Sequence, residues 1–221
     1  MLDLLLPERC VVCRAGGVQL CDGCLARLPR LAPPLCDRCG ARTEWRVTRC
    51  RECARRRLAF ASARAAVEYD ASVRTLLAAW KEGGLRRLGD TAAEVVADVV
   101  ERPAADVLTF VPPDRGRKLD RGHHPAEALA RGLALRWELP VRPLLARTRS
   151  TPRQRDLPIA QRRRNVTGAF EPRESPTPRR IVLVDDVYTT GATSNAAASA
   201  LRRGGARRVD VVTFARAIRL G

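Results

Sequence analysis

Residues 181–193 read Ile181-Val182-Leu183-Val184-Asp185-Asp186-Val187-Tyr188-Thr189-Thr190-Gly191-Ala192-Thr193. The first four form a fully apolar run, the pattern of a strand covered on both faces, as in a parallel sheet. Two carboxylates follow at the carboxyl end of that strand. A loop of small and hydroxyl-bearing residues then opens a helix over 192–203. In open α/β sheets, ligands gather at the carboxyl ends of strands. A small-residue loop entering a helix turns backbone N–H groups into one concavity, and the helix N-terminus favours an anion there. Thr189, Thr190 and Thr193 add hydroxyl donors, and Gly191 allows close backbone approach. Asp185 and Asp186 would repel an anion they pointed at. They suit instead the vicinal hydroxyls of a sugar a few ångströms away. The constellation therefore reads as a sugar-phosphate site; the plainer alternative is a helix cap with turn-forming threonines. Neither G-x-x-x-x-G-K-[ST] nor G-x-G-x-x-G occurs in the chain, so nucleoside triphosphate and dinucleotide folds gain no support.

Working outward, Val209–Phe214 reads as a second apolar strand beyond the helix. Upstream, Val107–Val111 is a short strand closed by Pro112-Pro113, and Ala126–Trp137 is a helix. Val141–Leu145 is a further candidate strand, and Thr167–Phe170 another. Phe60–Tyr69 reads as a strand. Ala71–Lys81 places Val73, Leu76, Leu77 and Trp80 at helical spacing before Gly83-Gly84. Thr91–Glu101 carries Val95, Val96, Val99 and Val100 in the same way and stops at Pro103. Strands alternating with helices from about residue 105 onward predict a parallel α/β sheet with crossover helices.

All eight cysteines precede residue 54 and fall into four C-x-x-C pairs: Cys10/Cys13, Cys21/Cys24, Cys36/Cys39 and Cys50/Cys53. A two-residue spacing lets both thiolates of a knuckle reach one tetrahedral ion, so four pairs supply two structural zinc sites. Disulfides suit a cytoplasmic chain poorly, and a redox motif would be one pair rather than four. Sequential pairing gives tandem zinc ribbons and alternate pairing a cross-braced module; spacing leaves both open. We expect a double zinc-ribbon module over 1–57 and the α/β domain over 58–221.

The chain has 221 residues, 41 of them Lys or Arg against 24 Asp or Glu, and stays strongly basic even with the cysteines counted as zinc-bound thiolates. That balance favours phosphate-bearing partners. No window has the ~18 uncharged apolar residues of a membrane span. Met1–Leu6 lacks a basic leader and a small-residue cleavage site, so a cytoplasmic location is expected. Arg142–Arg180 holds eleven Arg and six Pro, the composition of a long functional loop.

The motif at 183–193 resembles the PRPP (phosphoribosyl pyrophosphate) motif of type I phosphoribosyltransferases. With the cysteine module in front, the chain resembles the ComF family of competence-associated proteins over nearly its full length. Further family-like pieces are Tyr69 through Lys81-Glu82-Gly83, Val111-Pro112, Arg121-Gly122, Glu127–Ala130, Arg147, Thr151, Gln154, Leu157, Arg162, Asn165-Val166 and Gly168-Ala169-Phe170. The resemblance implies a type I phosphoribosyltransferase-like parallel sheet with helices on both faces. It implies that Asp185 and Asp186 bind the ribose hydroxyls directly or through Mg2+, as the catalytic pair. Residues Thr189, Thr190, Gly191, Ala192 and Thr193 would cradle the 5-phosphate. The loop after Val111 would face pyrophosphate, with Arg115 and Arg121 as donors, and Arg147–Asn165 would cover the site. Transfer of phosphoribosyl to an unidentified acceptor, with release of pyrophosphate, is the activity implied. The alternative is a non-catalytic DNA-uptake or repair component that binds single-stranded DNA or a competence helicase (an ATPase), with PRPP as regulator. One departure stands out. Where the family continues Arg-Gly-Phe-Asn-Gln, this chain has Arg121-Gly122-His123-His124-Pro125. Either this is drift at a helix start with Pro125 at the first helical position, or an imidazole acts on the leaving group or acceptor.

Overall fold

The computed structural model describes residues 8–82, 84–85, 87–113, 124–148, 168–174 and 178–218. Strand β1 (Ser62–Glu68) is followed by helices α2 (Ala71–Glu82) and α3 (Leu88–Val99), then β2 (Val107–Phe110) and α4 (Pro125–Trp137). A short helix, α1 (Asp22–Ala26), lies in the cysteine-rich segment before them. Strands β3 (Leu145–Arg147) and β4 (Phe170–Pro172) come next, then β5 (Arg180–Tyr188), α5 (Ala192–Arg203) and β6 (Arg208–Arg216). The main sheet has the order β1-β6-β5-β2, and each of its three strand pairings is parallel. β3 and β4 form a separate antiparallel pair.

Strand alternation sorts the apolar residues of β5 and β6 onto two faces. Val182, Val184, Val212 and Phe214 share a core with α2, α3 and α4. Ile181, Leu183, Val209 and Val211 share another with Ala197, Ala198, Ala200 and Leu201 of α5. On the first face Trp80 packs edge-on against Phe214, with ring centroids 6.3 Å apart, a geometry favoured by the ring quadrupoles. Helices α3 and α4 approach closely because Gly132 has no side chain: a Cβ there would lie 2.6 Å from the Cβ of Ala93. Pro125 occupies the start of α4 with His124 at its N-cap, as the His-His-Pro reading expects.

Several boundaries differ from the sequence reading, β4 among them at Phe170–Pro172, and three have a cause in their neighbours. α3 begins three residues earlier than Thr91 and ends at Val99, since Gly89 and Leu88 are themselves buried against neighbouring helices. Residues 141–145 do not form one strand: Val141 makes a single bridge to Leu108, and the strand proper starts at Leu145 and pairs with β4. β5 does not stop at Val184 but runs through both aspartates to Tyr188, its ladder held by Asp185↔Thr213 and Tyr188↔Arg216.

The cysteine-rich segment wraps the β1 edge of the sheet. Leu31 N donates to Ala66 O (2.8 Å), Glu68 N donates to Pro29 O (2.8 Å), and Ala63 N donates to Arg38 O (3.0 Å). These bonds cover the outer edge of β1, which would otherwise present unpaired peptide groups. Val11 and Leu28 join the core under α2 and α3. Cys36, Cys39 and Cys53 join the core under α5.

Candidate functional site

Asp185 and Asp186 lie near the carboxyl end of β5, an inner strand flanked by β6 and β2. Alternation puts Asp186 on the side of Val182 and Val184, toward α2, and there its Oδ2 forms an ion pair with Lys81 Nζ. Both side chains are about one-fifth exposed, at 20%. Burial alone would raise the Asp186 pKa, but Lys81 outweighs it, with a smaller contribution from His124, and the net shift is downward. Among the described residues Asp185 forms no ion pair, and Lys81 lowers its pKa only weakly. Burial first, and the neighbouring Asp186 charge second, push it up to about 8. The two adjacent carboxylates are thus shifted in opposite directions, Asp186 down and Asp185 up. Such pairs mark sites built to take a cation or a hydrogen-bonding ligand.

The loop after them is compact. Thr190 is buried, and its Oγ1 accepts from Ala192 N at 3.2 Å. Gly191 is the N-cap of α5, with φ +68° in the left-handed region, which explains glycine there. The remaining N–H groups of the first helical turn have no intrahelical acceptor, and a helix start of this kind can receive an anion. Thr189 and Thr193 remain partly exposed. His124 enters beside Asp186 at the head of α4, its ring 5.6 Å from that of Phe110. Arg115, Arg121 and His123 lie outside the described residues, as do 149–167 of the proposed covering segment. Its first part, Arg147, sits over the Phe170 ring at 4.9 Å.

Two residues of the site carry a role that sequence reading did not give them. Lys81 is one of only two lysines among 41 basic residues, which is a signal in itself. A compact ammonium can approach one carboxylate oxygen end-on, whereas a guanidinium presents a planar fork. Arg216, at the end of β6, carries no such signal.

The cysteines gather as Cys10, Cys13, Cys21 and Cys24, and as Cys36, Cys39, Cys50 and Cys53, with all four sulfurs of each group within 4.8 Å of one another. This is the sequential pairing. Cys36–Cys53 and Cys39–Cys50 sulfurs are 3.6 and 3.5 Å apart, and Cys13–Cys21 sulfurs 3.6 Å. A tetrahedron of Zn–S bonds of about 2.3 Å has edges of roughly 3.8 Å, so both groups fit zinc. In each group the first cysteine is prepared as a thiolate. Burial would push it up, but backbone N–H groups, led by those of Cys13 and Cys39, hold Cys10 at about 6 and Cys36 at about 7.

The double zinc ribbon domain model matches residues 1–56, and the phosphoribosyl transferase domain model matches residues 76–219. The chain belongs to the phosphoribosyltransferase family. Joined to a double zinc ribbon, the domain is of the ComF type. Competence protein F of Haemophilus influenzae is 27% identical, over 95% of this chain and 97% of its own length. The DNA utilization protein YhgH of Escherichia coli K12 is 26% identical, over 97% of this chain and 100% of its own. An orotate phosphoribosyltransferase structure from Aeropyrum pernix is 21% identical over 67% of each chain, with a TM-score of 0.38. No helix among the described residues is long and apolar enough to cross a membrane.

Proposed function

We propose that this ComF-type phosphoribosyltransferase binds PRPP with Mg2+ at the carboxyl end of β5 and transfers phosphoribosyl to an acceptor, releasing pyrophosphate. The observation that carries this reading is the succession of Asp185, Asp186 and a left-handed Gly191 opening α5 on an inner parallel strand. Asp185 and Asp186 face the ribose hydroxyls, and Lys81 keeps Asp186 ionised until ligand arrives. The N–H groups and hydroxyls of Thr189–Thr193 hold the 5-phosphate. Arg115 and Arg121 are the proposed pyrophosphate donors. Mg2+ would supply charge neutralisation on the leaving pyrophosphate. The chain's own contribution is positioning and electrostatics. The protein works in the cytoplasm on this reading, with zinc-ribbon module and catalytic domain dividing near residue 57. Calorimetric titration with PRPP and Mg2+ tests it. The parent protein should bind, and Asp185→Asn with Asp186→Asn should not; absence of binding by the parent ends the proposal.

A second reading starts from the surface of the second ribbon. Trp45 is 66% exposed there, close in sequence to Arg42 and Arg46, whose side chains are 63% and 84% exposed. An exposed indole in an arginine-bearing stretch suits a single-stranded nucleic acid, by base stacking and by phosphate contact that would replace the Glu68 and Asp37 partners of Arg42 and Arg46. On this reading DNA, or the competence ATPase that handles it, is the partner and PRPP regulates the encounter. Binding of a poly-dT strand that weakens steeply with salt and falls on Trp45→Ala would support it; salt-independent binding or none would reject it.

A further inference from the structure

Arg216 ends β6 with a side chain that is only 2% exposed. A guanidinium so deeply placed needs partners, because an unpaired buried charge is strongly destabilising. Among the described residues, the hydrogen bonds it donates go to the second ribbon. Nη1 donates to Cys39 O at 2.6 Å, and Nη2 donates to Glu52 Oε2 at 2.7 Å. Nη2 also lies 3.8 Å from Cys39 Sγ. Cys39 is a proposed zinc ligand, so Arg216 is an outer partner of that site. Such partners orient the ligands, and a cation beside a four-thiolate site offsets its net negative charge.

The other side of the same guanidinium covers the ring of Tyr188, with Cζ 4.6 Å from the centroid. Tyr188 stands directly before the phosphate loop. Its ring is also clamped edge-on by Phe60 at 6.3 Å and lies under Gly191: a Cβ at Gly191 would overlap the Tyr188 phenol. The linker that leaves the second ribbon grips the following helix as well, since Ala59 N donates to Asn195 Oδ1 at 2.7 Å. A continuous packed series therefore runs from Cys39 through Arg216 and Tyr188 to Gly191. Among the described residues nothing comparable joins the first ribbon to this loop.

We propose that Arg216 is a positioning residue that couples the second zinc site to the phosphate loop, so that zinc at Cys36, Cys39, Cys50 and Cys53 and a 5-phosphate at Thr189–Thr193 strengthen each other's binding. The phosphate half rests on the PRPP reading above. Coupling of this kind is reciprocal: if zinc holds the loop in its binding shape, ligand must hold the zinc by the same factor. Lysine cannot replace Arg216, because a point charge cannot reach both acceptors and cover the Tyr188 ring at once.

The test uses the full-length, zinc-loaded protein. Zinc loss to a chromogenic chelator is followed with and without PRPP in excess Mg2+, and PRPP affinity is measured by calorimetry. In the parent, PRPP should slow the loss of one of two zinc ions about tenfold and leave the other unchanged. Cys13→Ser, which disables the first site, should retain the slowed ion. Arg216→Lys should keep two zinc ions, bind PRPP about tenfold more weakly and lose the protection. Glu52→Gln, at a partly exposed position that the fold tolerates more readily, should lose part of both. PRPP binding by the parent with no effect on either zinc ion overturns the coupling and leaves the proposed function standing. So does a Glu52→Gln and Arg216→Lys pair with parental affinity and parental protection. Failure of the parent to bind PRPP at all defeats the proposed function, and the coupling with it.

Discussion

The two cysteine ribbons share the C-x-x-C spacing within their pairs, with seven residues between pairs in the first and ten in the second, yet the fold uses them differently. The first meets the α2–α3 face through Val11 and Leu28, and its Cys13 stays exposed. The second is built into the core beneath α5: Cys36, Cys39 and Cys53 are at most 1% exposed. Arg64 also donates to Asp37 O at 3.0 Å, and Arg216 donates to Cys39 O. The difference teaches that equal motifs need not be equal in energetic weight. What counts is how much of the sheet's own burial depends on each ribbon keeping its shape.

The comparison is broken most severely by removing one ligand from each ribbon in turn. Cys53→Ser should cost several kcal/mol, since metal binding is folding energy for so small a module and this one shares the core; the chain should melt far lower or fail to accumulate in soluble form. Cys24→Ser should release one zinc ion and lower the melting temperature less. Equal losses, measured by thermal melts with zinc analysis, would erase the distinction. Next in size, Gly191→Val tests the far end of the second ribbon's packed series. The new side chain meets the Tyr188 ring, which Arg216 and Phe60 keep from moving. PRPP affinity should fall by about a hundredfold or more, given the backbone strain of a β-branched residue there, while circular dichroism stays parental.

A third experiment asks whether strain resides in the strand rather than in either ribbon. Asp185 is held up to about 8 by burial and by Asp186, against about 3.9 in the unfolded chain. Its raised value favours folding below about pH 4 relative to higher pH, and the advantage is lost as pH climbs to about 8. Asp185→Asn should therefore melt several degrees above the parent near pH 8.5 and level with it near pH 4. A constant offset would contradict the assignment. The smallest effect belongs to a pair remote from both ribbons. Asp106 accepts from Arg180 at 2.7 Å at the amino ends of β2 and β5, and Arg180 holds its pKa down. Both groups are well exposed, so Asp106→Asn should shift the melt by only about a degree at pH 7. The shift should vanish as pH falls through the depressed carboxyl value, because a protonated Asp106 no longer gains from Arg180.

Much of this was legible before any coordinates. The Ile181–Val184 run, the two aspartates and the glycine-bearing loop announce a strand, a site and a helix because each depends on local pattern: apolar burial, charge at a strand end, left-handed backbone. The four C-x-x-C pairs announce metal because two-residue spacing is itself ligand geometry. Helix α5 was read to the residue, since Gly191 and Gly204-Gly205 bracket it. Less was legible where neighbours decide. Residues 141–145 have strand-like composition, but Val141 finds only a single bridge to Leu108, and the ladder with β4 begins at Leu145. Lys81 meets Asp186 across 105 positions of sequence, and no local rule brings them together.

The sequence by itself determined that this chain has a parallel α/β core with two aspartates near the end of β5, preceded by cysteines able to hold two metal ions. Those properties follow from periodicity and ligand spacing, which act over a few residues. Only the tertiary structure decided that the ribbons pair sequentially, that one shares the core beneath α5, and that Asp185 and Asp186 are shifted in opposite directions. Each of those depends on which distant side chain fills a given space. Arg216 shows the reason most plainly: at the end of an apolar strand it is one more arginine, and only the approach of Cys39, Glu52 and Tyr188 makes its burial possible.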